Sequence, residues 1–337
     1  MRGSRRLLTC ILLVSAFVLG APARGGPPSS LDEDTPGLTP TSLRLDSFRL
    51  AQESGDGSEL AGDPEEQRPW SLGLTYSLYS DYVFRGINLS EYPGEGREKP
   101  NHQLSVDLGL DLASLWGGTP GSLGELTFST WFEWYADQEK LNPDAGGNNL
   151  QEVDYTIGWS YDVDSLASTL GVAFVFYTFP NAKPLNTQEL NFTLDHNDAW
   201  MWHWLWPENE DGVLNPSVLY AIDIDATHNG GWIELGFSHE FSMADYLALT
   251  PSVTVAIDHG YLDPILGTDR GPSTRFAYVQ YGLNLDYDLT GACSLSSDYG
   301  SLTLSGFLFF NDAVGNPEDN GIIQDEFFGG VSLGWSF

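Results

Sequence analysis

The sequence predicts an all-β protein, a transmembrane antiparallel up-and-down β-barrel of about twelve strands behind a disordered N-terminal lead. Segments in which one parity is apolar or aromatic and the other is small, polar or acidic recur along the chain, as in a sheet with two different faces. After the N-terminal segment no run reaches the roughly 18 apolar residues of a membrane helix, and a closed barrel is the other architecture that spans a bilayer. The last residues alternate up to a terminal aromatic, a pattern that resembles the C-terminal signal of outer-membrane barrels.

An export signal is predicted at the N-terminus, over residues 1–23. Three arginines among the first six residues precede an apolar run over 7–20, and an Ala-Pro-Ala site of the A-x-A type follows. Residues 24–69 are rich in Pro, Gly, Ser, Asp and Glu, so we expect a flexible, low-complexity periplasmic lead. Residues 70–337 then form the barrel.

Twelve strands account for the barrel region, most of them near the length that a tilted membrane strand needs. In the second, Leu104, Val106 and Leu108 alternate with Ser105 and Asp107. Aromatic residues at the strand ends are typical of interfacial girdles. The predicted bounds are approximately 70–80, 102–112, 124–135, 151–162, 168–178, 187–196, 216–225, 231–241, 247–258, 276–289, 300–310 and 326–337.

The connections between strands support this arrangement. An even number of strands places both termini at one end, which the lead makes the periplasmic end. Connections after odd strands are mostly long and those after even strands mostly shorter, as in bacterial barrels. Two depart from this rule, a short one near 227–230 and a long one over 197–214.

The charge of the chain excludes nucleic acid as a natural partner. Acidic residues number 47 against 14 basic ones, for a net charge of −33, so phosphate would be repelled. The few basic residues after Trp70 lie in predicted loops and strand ends. A barrel requires this, because Lys or Arg facing lipid near the midplane costs about 2–4 kcal/mol.

The acidic residues that alternate with the apolar ones along the strands define the predicted lumen. Carboxylates pointing inward with almost no counter-charge attract cations and repel anions, so we predict a water-filled, cation-preferring path. The alternative is that these groups lie solvated near the rims. The lumen and selectivity candidates are Asp81, Arg85, Asp107, Asp111, Glu125, Glu133, Glu152, Asp154, Glu189, Asp223, Glu234 and Asp286.

A cluster of tryptophans in the long connection over 197–214 has two interpretations. It either anchors a periplasmic hairpin at the lipid headgroups, or it forms an aromatic surface for a sugar or a partner. The predicted membrane-interface anchors are Trp200, Trp202, Trp204, Trp206, Trp335 and Phe337.

No motif indicates an enzyme, and we predict no catalytic residue, cofactor or metal. The chain has no Gly-x-Ser-x-Gly elbow, P-loop or convincing dinucleotide fingerprint, and its six histidines are scattered without ligand spacing. The His-x-Ser-Asn type of nucleophile motif found in outer-membrane phospholipase A is absent, since His239 is followed by Glu-Phe-Ser.

The segment from Ser80 to Ser90, SDYVFRGINLS, resembles the hallmark of the TorF-type porin family of bacterial outer-membrane proteins. Weaker similarity lies in TQEL at 187–190, LNPSV at 214–218, WIELG at 232–236 and LTPSV at 249–253. The resemblance implies a barrel and a channel without an established substrate or catalytic residues. Within the motif, Asp81 and Arg85 share lumen parity and are expected to pair across the pore mouth, as a brace or as a selectivity element.

These observations lead to two functional hypotheses. One is a passive, porin-like channel for small solutes in the outer membrane of a double-membraned bacterium. The other is a non-conducting barrel, plugged or filled by side chains, whose outer loops bind a ligand or partner. The expected partners are outer-membrane lipid, small solutes and the barrel-assembly machinery, the last through the C-terminal strand.

Overall fold

A computed structural model describes residues 68–90, 100–135, 150–181, 183, 186–207, 212–225, 230–263, 273–315, 317 and 321–337. The predicted signal peptide and nearly all of the predicted lead lie outside the described residues. In the described part of the chain, no helix is long and apolar enough to cross a membrane.

All twelve predicted barrel strands are present, together with three short ones. Their bounds are β1 (Trp70–Tyr79), β2 (Val83–Phe84), β3 (Ile87–Asn88), β4 (Asn101–Asp111), β5 (Glu125–Tyr135), β6 (Leu150–Val163), β7 (Ser168–Thr178), β8 (Thr187–His196), β9 (Ser217–Asp223), β10 (Gly231–Ser238), β11 (Phe241–Ala244), β12 (Leu247–His259), β13 (Thr274–Asp288), β14 (Ser301–Ala313) and β15 (Glu326–Ser336). Short helices cover Leu112–Leu115, Ala199–Trp202 and Leu289–Cys293, and single 3-10 turns cover Asp164–Leu166 and Ser297–Tyr299.

The sheet closes on itself, which confirms the predicted fold class. Each barrel strand pairs antiparallel with its sequence neighbours, β10 pairs with β12, and β1 joins β4 to the C-terminal β15. Leu72 and Phe337 exchange two backbone hydrogen bonds of 2.9 Å at this last seam. The short β11 pairs only with β12 among the described strands, so the wall of the barrel has twelve strands.

The two ends of the barrel differ, and we name them by their connections. The turn end holds the described helices and 3-10 turns, and both ends of the barrel domain meet there, with the rings of Trp70 and Phe337 5.6 Å apart. The loop end carries the connections after β1, β5, β7, β9, β12 and β14. The connection over 197–216 is at the turn end and the one over 224–230 at the loop end, as the predicted strand order requires.

The two faces of the wall separate by parity, as predicted. In β4, Asn101, Gln103, Ser105 and Asp107 are buried inside, and the apolar residues between them point outward. Large apolar side chains are exposed all around the outer face. Examples are Leu108, Phe128, Ile157, Phe192, Phe237, Tyr281 and Leu308. Exposed aromatics also mark the loop end (Phe276, Phe327) and the turn end (Trp116, Trp204, Tyr299). The outer face is therefore suited to lipid, and water-compatible side chains turn inward.

A charge placed on this outer band is expected to oppose folding. Leu308 lies outward in the middle of β14 with 49% of its surface exposed. Leu308→Arg should weaken folding into lipid vesicles by about 2–4 kcal/mol, because a guanidinium would face hydrocarbon. Equilibrium urea titrations in vesicles measure the change.

The matched control is Leu295→Arg, the same substitution at an exposed residue of the turn end. This control should weaken folding into vesicles by no more than about 1 kcal/mol, because a side chain near the interface reaches water. Equal and small effects at both positions would contradict a lipid-facing band.

Candidate functional site: an inward hairpin above a polar cavity

The hairpin formed by β2 and β3, residues 81–90, folds into the barrel; we call it the inward hairpin. Its tight turn places Arg85 at φ 46° and Gly86 at φ 80°, the left-handed pair that a two-residue hairpin turn requires. A Cβ on Gly86 would lie 2.7 Å from the ring of Tyr278 and 2.8 Å from Ile323. Residues 81–85 are only 1–4% exposed, so the hairpin is an interior element of the fold.

An ion pair joins the hairpin to the far wall. Arg85 donates from Nη1 and Nη2 to the two carboxylate oxygens of Glu189 on β8, at 2.9 and 3.0 Å. Tyr177 donates a further hydrogen bond of 3.1 Å to Glu189. The guanidinium also lies 3.9 Å from the ring centre of Tyr261 and 5.4 Å from that of Trp232. A buried pair of this fork geometry is directional and holds the hairpin tip in one position.

This pairing differs from the predicted Asp81–Arg85 bridge. The described ion-pair partner of Arg85 is Glu189, whereas Asp81 accepts a hydrogen bond of 3.4 Å from Asn88 within the hairpin. Arg85 and Asp81 share the inward position, as their parity predicts, but the hairpin bends at Arg85 and Gly86 and carries the guanidinium across the lumen to β8.

Carboxyl groups on β5 and β6 lie next to the base of the hairpin. Tyr82 donates a hydrogen bond of 2.8 Å to Glu152, and its ring lies 5.7 Å from that of Trp131. Glu133 stands directly opposite Glu152 across the two strands, and both are buried, with Asp154 two residues along. Among the described residues, neither carboxylate oxygen of Glu133 has a hydrogen-bond partner. Ionising every member of this crowded group is unfavourable, because like charges repel strongly away from water.

Apolar packing completes the seal at the loop end. Phe84 packs with Trp232, Tyr261, Leu262, Tyr278 and Ile323, all of which are at most 1% exposed. On the opposite side, Val83 packs with Tyr79, Phe307, Phe309 and Phe328. The hairpin therefore contacts most of the wall, and the lumen is occluded at this level.

A second ion-pair network holds residues 260–263, which follow β12 and lie beside the hairpin tip. Arg275 contacts Asp258 at 2.6 Å and Asp263 at 2.5 Å. Asp258 also accepts hydrogen bonds from the backbone N–H groups of Tyr261 and Leu262, at 2.7 and 3.1 Å. Tyr261 is thereby held where it stacks over Arg85.

Below the hairpin the barrel encloses a polar cavity of about 640 Å³ that reaches the turn end. Small hydroxyl side chains are the most frequent residues of its walls and come from several strands; examples are Thr75, Ser105, Ser217, Thr250 and Ser332. The aromatic residues beneath the hairpin form its ceiling: Tyr79, Trp131, Phe307 and Phe309. Among the described residues, its lining includes neither lysine nor arginine, and it includes six carboxylates: Asp162, Asp164, Asp195, Glu234, Glu240 and Asp286.

The predicted lumen residues fall into separate groups rather than one line. Glu133, Glu152, Asp154 and Glu189 face the hairpin, as described above. Glu234 and Asp286 line the cavity. Asp107 is buried and accepts hydrogen bonds from Ser105 and Ser129, and Asp223 is buried and accepts one from Thr187.

The remaining two candidates lie at the turn end. Asp111 caps the short helix Leu112–Leu115, accepting hydrogen bonds from the N–H groups of Ser114 at 3.0 Å and Gly121 at 2.8 Å. Glu125 stands opposite Asp111 across β4 and β5. Among the described residues, no group of three or more His, Cys, Asp or Glu side chains is arranged to hold a metal ion.

The tryptophan segment is organised by Asp198, which the sequence did not single out. Asp198 accepts hydrogen bonds from Trp202 Nε1 at 2.7 Å and from the N–H groups of Val213 and Leu214 at 2.7 and 3.1 Å. Trp200 and Trp204 remain 68% and 78% exposed, and Trp206 is about half exposed. Trp335 donates to the carbonyl of Tyr299 and stacks on Phe337. These rings lie at the turn end; their role as lipid anchors stays a prediction.

No protein-family model and no curated protein matches this chain. An outer-membrane channel from Pseudomonas putida F1 is 10% identical, with coverage of 82% of this chain and 100% of that one and a TM-score of 0.42. The NanC porin is 8% identical, covering 78% and 98%, with a TM-score of 0.40. The translocator domain of the autotransporter NalP from Neisseria meningitidis is 10% identical, covering 88% and 96%, with a TM-score of 0.37. The resemblance to the TorF-type porins stays a prediction.

Removing one member of the buried ion pair is expected to be strongly destabilising. Arg85→Met should lower the free energy of unfolding by about 3–5 kcal/mol, because Glu189 is left charged and buried. The double variant Arg85→Met/Glu189→Leu should recover most of this loss, since no unpaired charge remains. Guanidinium titrations of the refolded barrel measure both, and a double variant as unstable as the single one would contradict the pairing.

The Asp198 carboxylate predicts a pH dependence of the turn end. Partial burial alone would raise the pKa of Asp198, but the hydrogen bonds from Val213, Trp202 and Leu214 lower that pKa below its ordinary value. A lowered folded-state pKa stabilises the fold at neutral pH, and this contribution is lost as the pH falls through that pKa. Asp198→Asn should therefore lower the free energy of unfolding at neutral pH by about 1 kcal/mol, because nearby solvent weakens the interactions of the carboxylate. In strong acid the substitution should leave the free energy of unfolding unchanged.

Thermal unfolding at several pH values checks this expectation. Asp164→Asn, which removes the same charge from an exposed 3-10 turn at the same end, serves as the control for the loss of one negative charge. A loss at Asp198 that persists unchanged into strong acid would contradict the ionised carboxylate as its cause.

Proposed function

We propose that this protein is a porin-like channel of the bacterial outer membrane, in which the inward hairpin is a gate seen in its closed position. The single observation that carries the proposal is the division of the lumen into a packed hairpin layer and a polar cavity open toward the turn end. An apolar outer band around a closed sheet suits lipid, and a wet cavity suits solutes. The predicted signal peptide supports export, with the turn end in the periplasm.

Cation preference is part of this proposal. Carboxylates line the cavity, and the described lining has no lysine or arginine to compensate them. Of the described basic side chains, Arg85 and Arg275 are bound to carboxylates above the cavity. A solute in the cavity therefore meets a net negative field, which concentrates cations.

A non-conducting barrel is the second candidate, and the tight packing of the hairpin layer favours it. A gate must undock to conduct, which here separates the Arg85–Glu189 pair and exposes Phe84 and Trp232. If that opening is too rare, the barrel acts as a closed binding or structural protein. The occluding element is then the inward hairpin.

We further propose that the chain belongs to the TorF-type family and that the barrel-assembly machinery recognises β15. The motif from Ser80 to Ser90 supports the first, because it is the segment that forms the inward hairpin. The alternating, aromatic end of β15, with Trp335 stacked on Phe337, supports the second.

Single-channel recording in a planar bilayer tests the proposal. The refolded full chain should show brief, cation-selective openings from a closed baseline, with the reversal potential in asymmetric KCl giving the sign of the selectivity. Anion-selective current would contradict the acidic cavity as the selectivity element. Silence from a barrel shown to be folded, in the wild type and in the loosened variant below, would favour the non-conducting candidate.

A substitution at Gly86 should open the gate. Gly86→Ala puts a methyl group within 3 Å of Tyr278 and Ile323, in addition to straining a positive φ, so it should displace the hairpin tip. We expect the open probability to rise by roughly tenfold or more, the effect of a bias of about 1.4 kcal/mol. Single-channel recording measures the change.

Gly117→Ala is the matched control for this variant. Gly117 also has a positive φ, of 71°, but it lies in the β4–β5 turn with nothing within 4 Å of the added methyl group. Gly117→Ala carries the same backbone strain without the clash, so its open probability should equal that of the wild type. Equal currents from both variants would show that the inward hairpin does not control conduction.

A further inference from the structure

The cavity below the hairpin combines two features that a simple water-filled path does not need. Its described lining carries six carboxylates among neutral polar side chains, and its closed end is aromatic. We propose that it is a binding site for small organic cations, namely amines with an apolar or aromatic body. This rests on the proposed function in that it names the class of solute the barrel would take, but binding itself does not require the gate to open.

The acidic groups are arranged along the depth of the cavity. Asp162, Asp164 and Glu240 are exposed at the turn end, and Asp195 and Asp286 are half-buried within two residues of the turn-end termini of β8 and β13. Glu234 is buried and lies farther from the turn end, in the middle of β10. Asp286 accepts a hydrogen bond of 2.5 Å from Ser305 on the neighbouring strand, which orients the carboxylate on the wall. Because the described lining holds neither lysine nor arginine, an ammonium group would find carboxylates from the turn end to Glu234.

Glu234 marks the inner limit of the site. It is buried, and it accepts hydrogen bonds from Trp232 Nε1 at 2.9 Å and Tyr278 Oη at 3.2 Å. Both donors belong to the packed layer around the hairpin, so Glu234 lies at the boundary between that layer and the cavity. Because Trp232 and Tyr278 are neutral donors, these two hydrogen bonds add no positive charge beside the carboxylate.

The ceiling supplies a surface for an apolar body. Tyr79 and Phe307 have ring centres 4.6 Å apart, and Phe307 and Phe309 follow at 5.8 Å, so these rings form one continuous patch beside Trp131. Aromatic faces attract organic ammonium groups and also bury hydrocarbon. Inorganic cations keep their water and gain little from such a patch, whereas an organic amine gains from both the carboxylates and the rings.

The cavity also has a suitable size and surface. Its volume of about 640 Å³ lies within the range of small-molecule sites. The hydroxyl-rich walls, including Thr250, Ser252 and Ser332, accept or donate hydrogen bonds to a wet ligand without adding charge. The charge of the ligand is thus selected by the carboxylates and its body by the ceiling.

A matched set of probes tests the proposal by isothermal titration of the refolded full chain in detergent, with empty micelles as the blank. Phenethylamine, 2-phenylethanol and 3-phenylpropanoate share a ring and differ in charge, and ethylamine keeps the charge without the ring. Phenethylamine should bind about tenfold or more tightly than the alcohol and than ethylamine, and the anion should not bind. Equal binding of the alcohol or of ethylamine, or binding of the anion, would overturn the proposal.

Variants locate the site. Asp286→Asn and Glu234→Gln should each weaken phenethylamine binding by about tenfold, since each removes a cavity charge and keeps the shape. Asp245→Asn, an exposed carboxylate in the β11–β12 turn outside the cavity lining, removes the same charge and should bind like the wild type. Two independent cavity variants keep the test decisive if one of them fails to fold. Equal affinity in the cavity variants and the control would place any binding elsewhere.

The outcome separates this inference from the proposed channel. Amine binding without current would support the binding site and contradict the channel. Current without amine binding would support the channel and contradict the binding site.

Discussion

Strand pairing is the constraint on which the other features depend. A backbone N–H or C=O group that faces hydrocarbon has no water to bond, so every strand of this sheet needs a neighbour on both sides. The pairings β10–β12 and β1–β15 complete the circle and leave no open edge in the wall. Once the ring is closed, the parity of each strand is settled, and every second side chain has to point into a common interior.

The width of that interior explains the inward hairpin. Eight strands enclose a space that wall side chains can fill, and twelve enclose more. The chain fills the loop half with residues 81–90 and leaves the turn half as a cavity lined by small polar residues. Inward carboxylates are accommodated in distinct ways. Glu189 and Asp258 are paired with arginines, Asp107 and Asp286 accept hydrogen bonds from serines, and Glu133 stands against Glu152 without a described partner. The charges therefore both support the packed layer and polarise the space below it.

The sequence was sufficient for the wall and insufficient for the contents of the barrel. Alternation is a local property, so the residues from Leu104 to Asp107 in β4 already indicate which face of the sheet is apolar. The even number of strands places both termini at one end of the barrel. The partner of Arg85 is not local, because Glu189 lies 104 residues away, and no spacing rule connects them. One local signal was available: Tyr82, Val83 and Phe84 form a continuous apolar run before a Gly turn, where an outer loop would be polar. Asp198 was missed for a similar reason, since the backbone N–H groups that it accepts from lie 15 and 16 residues away.

The hairpin is continuous with β1, and β1 forms the seam that joins the two ends of the barrel. Its contacts, however, lie on strands made later in the sequence, from β5 to β15. Residues 81–90 can reach their final partners only when the wall around them is nearly complete, because Glu189, Trp232 and Phe328 come from three well-separated parts of the chain. A long loop has to be brought together before these contacts are gained. Assembly of this barrel therefore has a built-in order, in which a hairpin made early in the sequence is among the last elements to meet its partners.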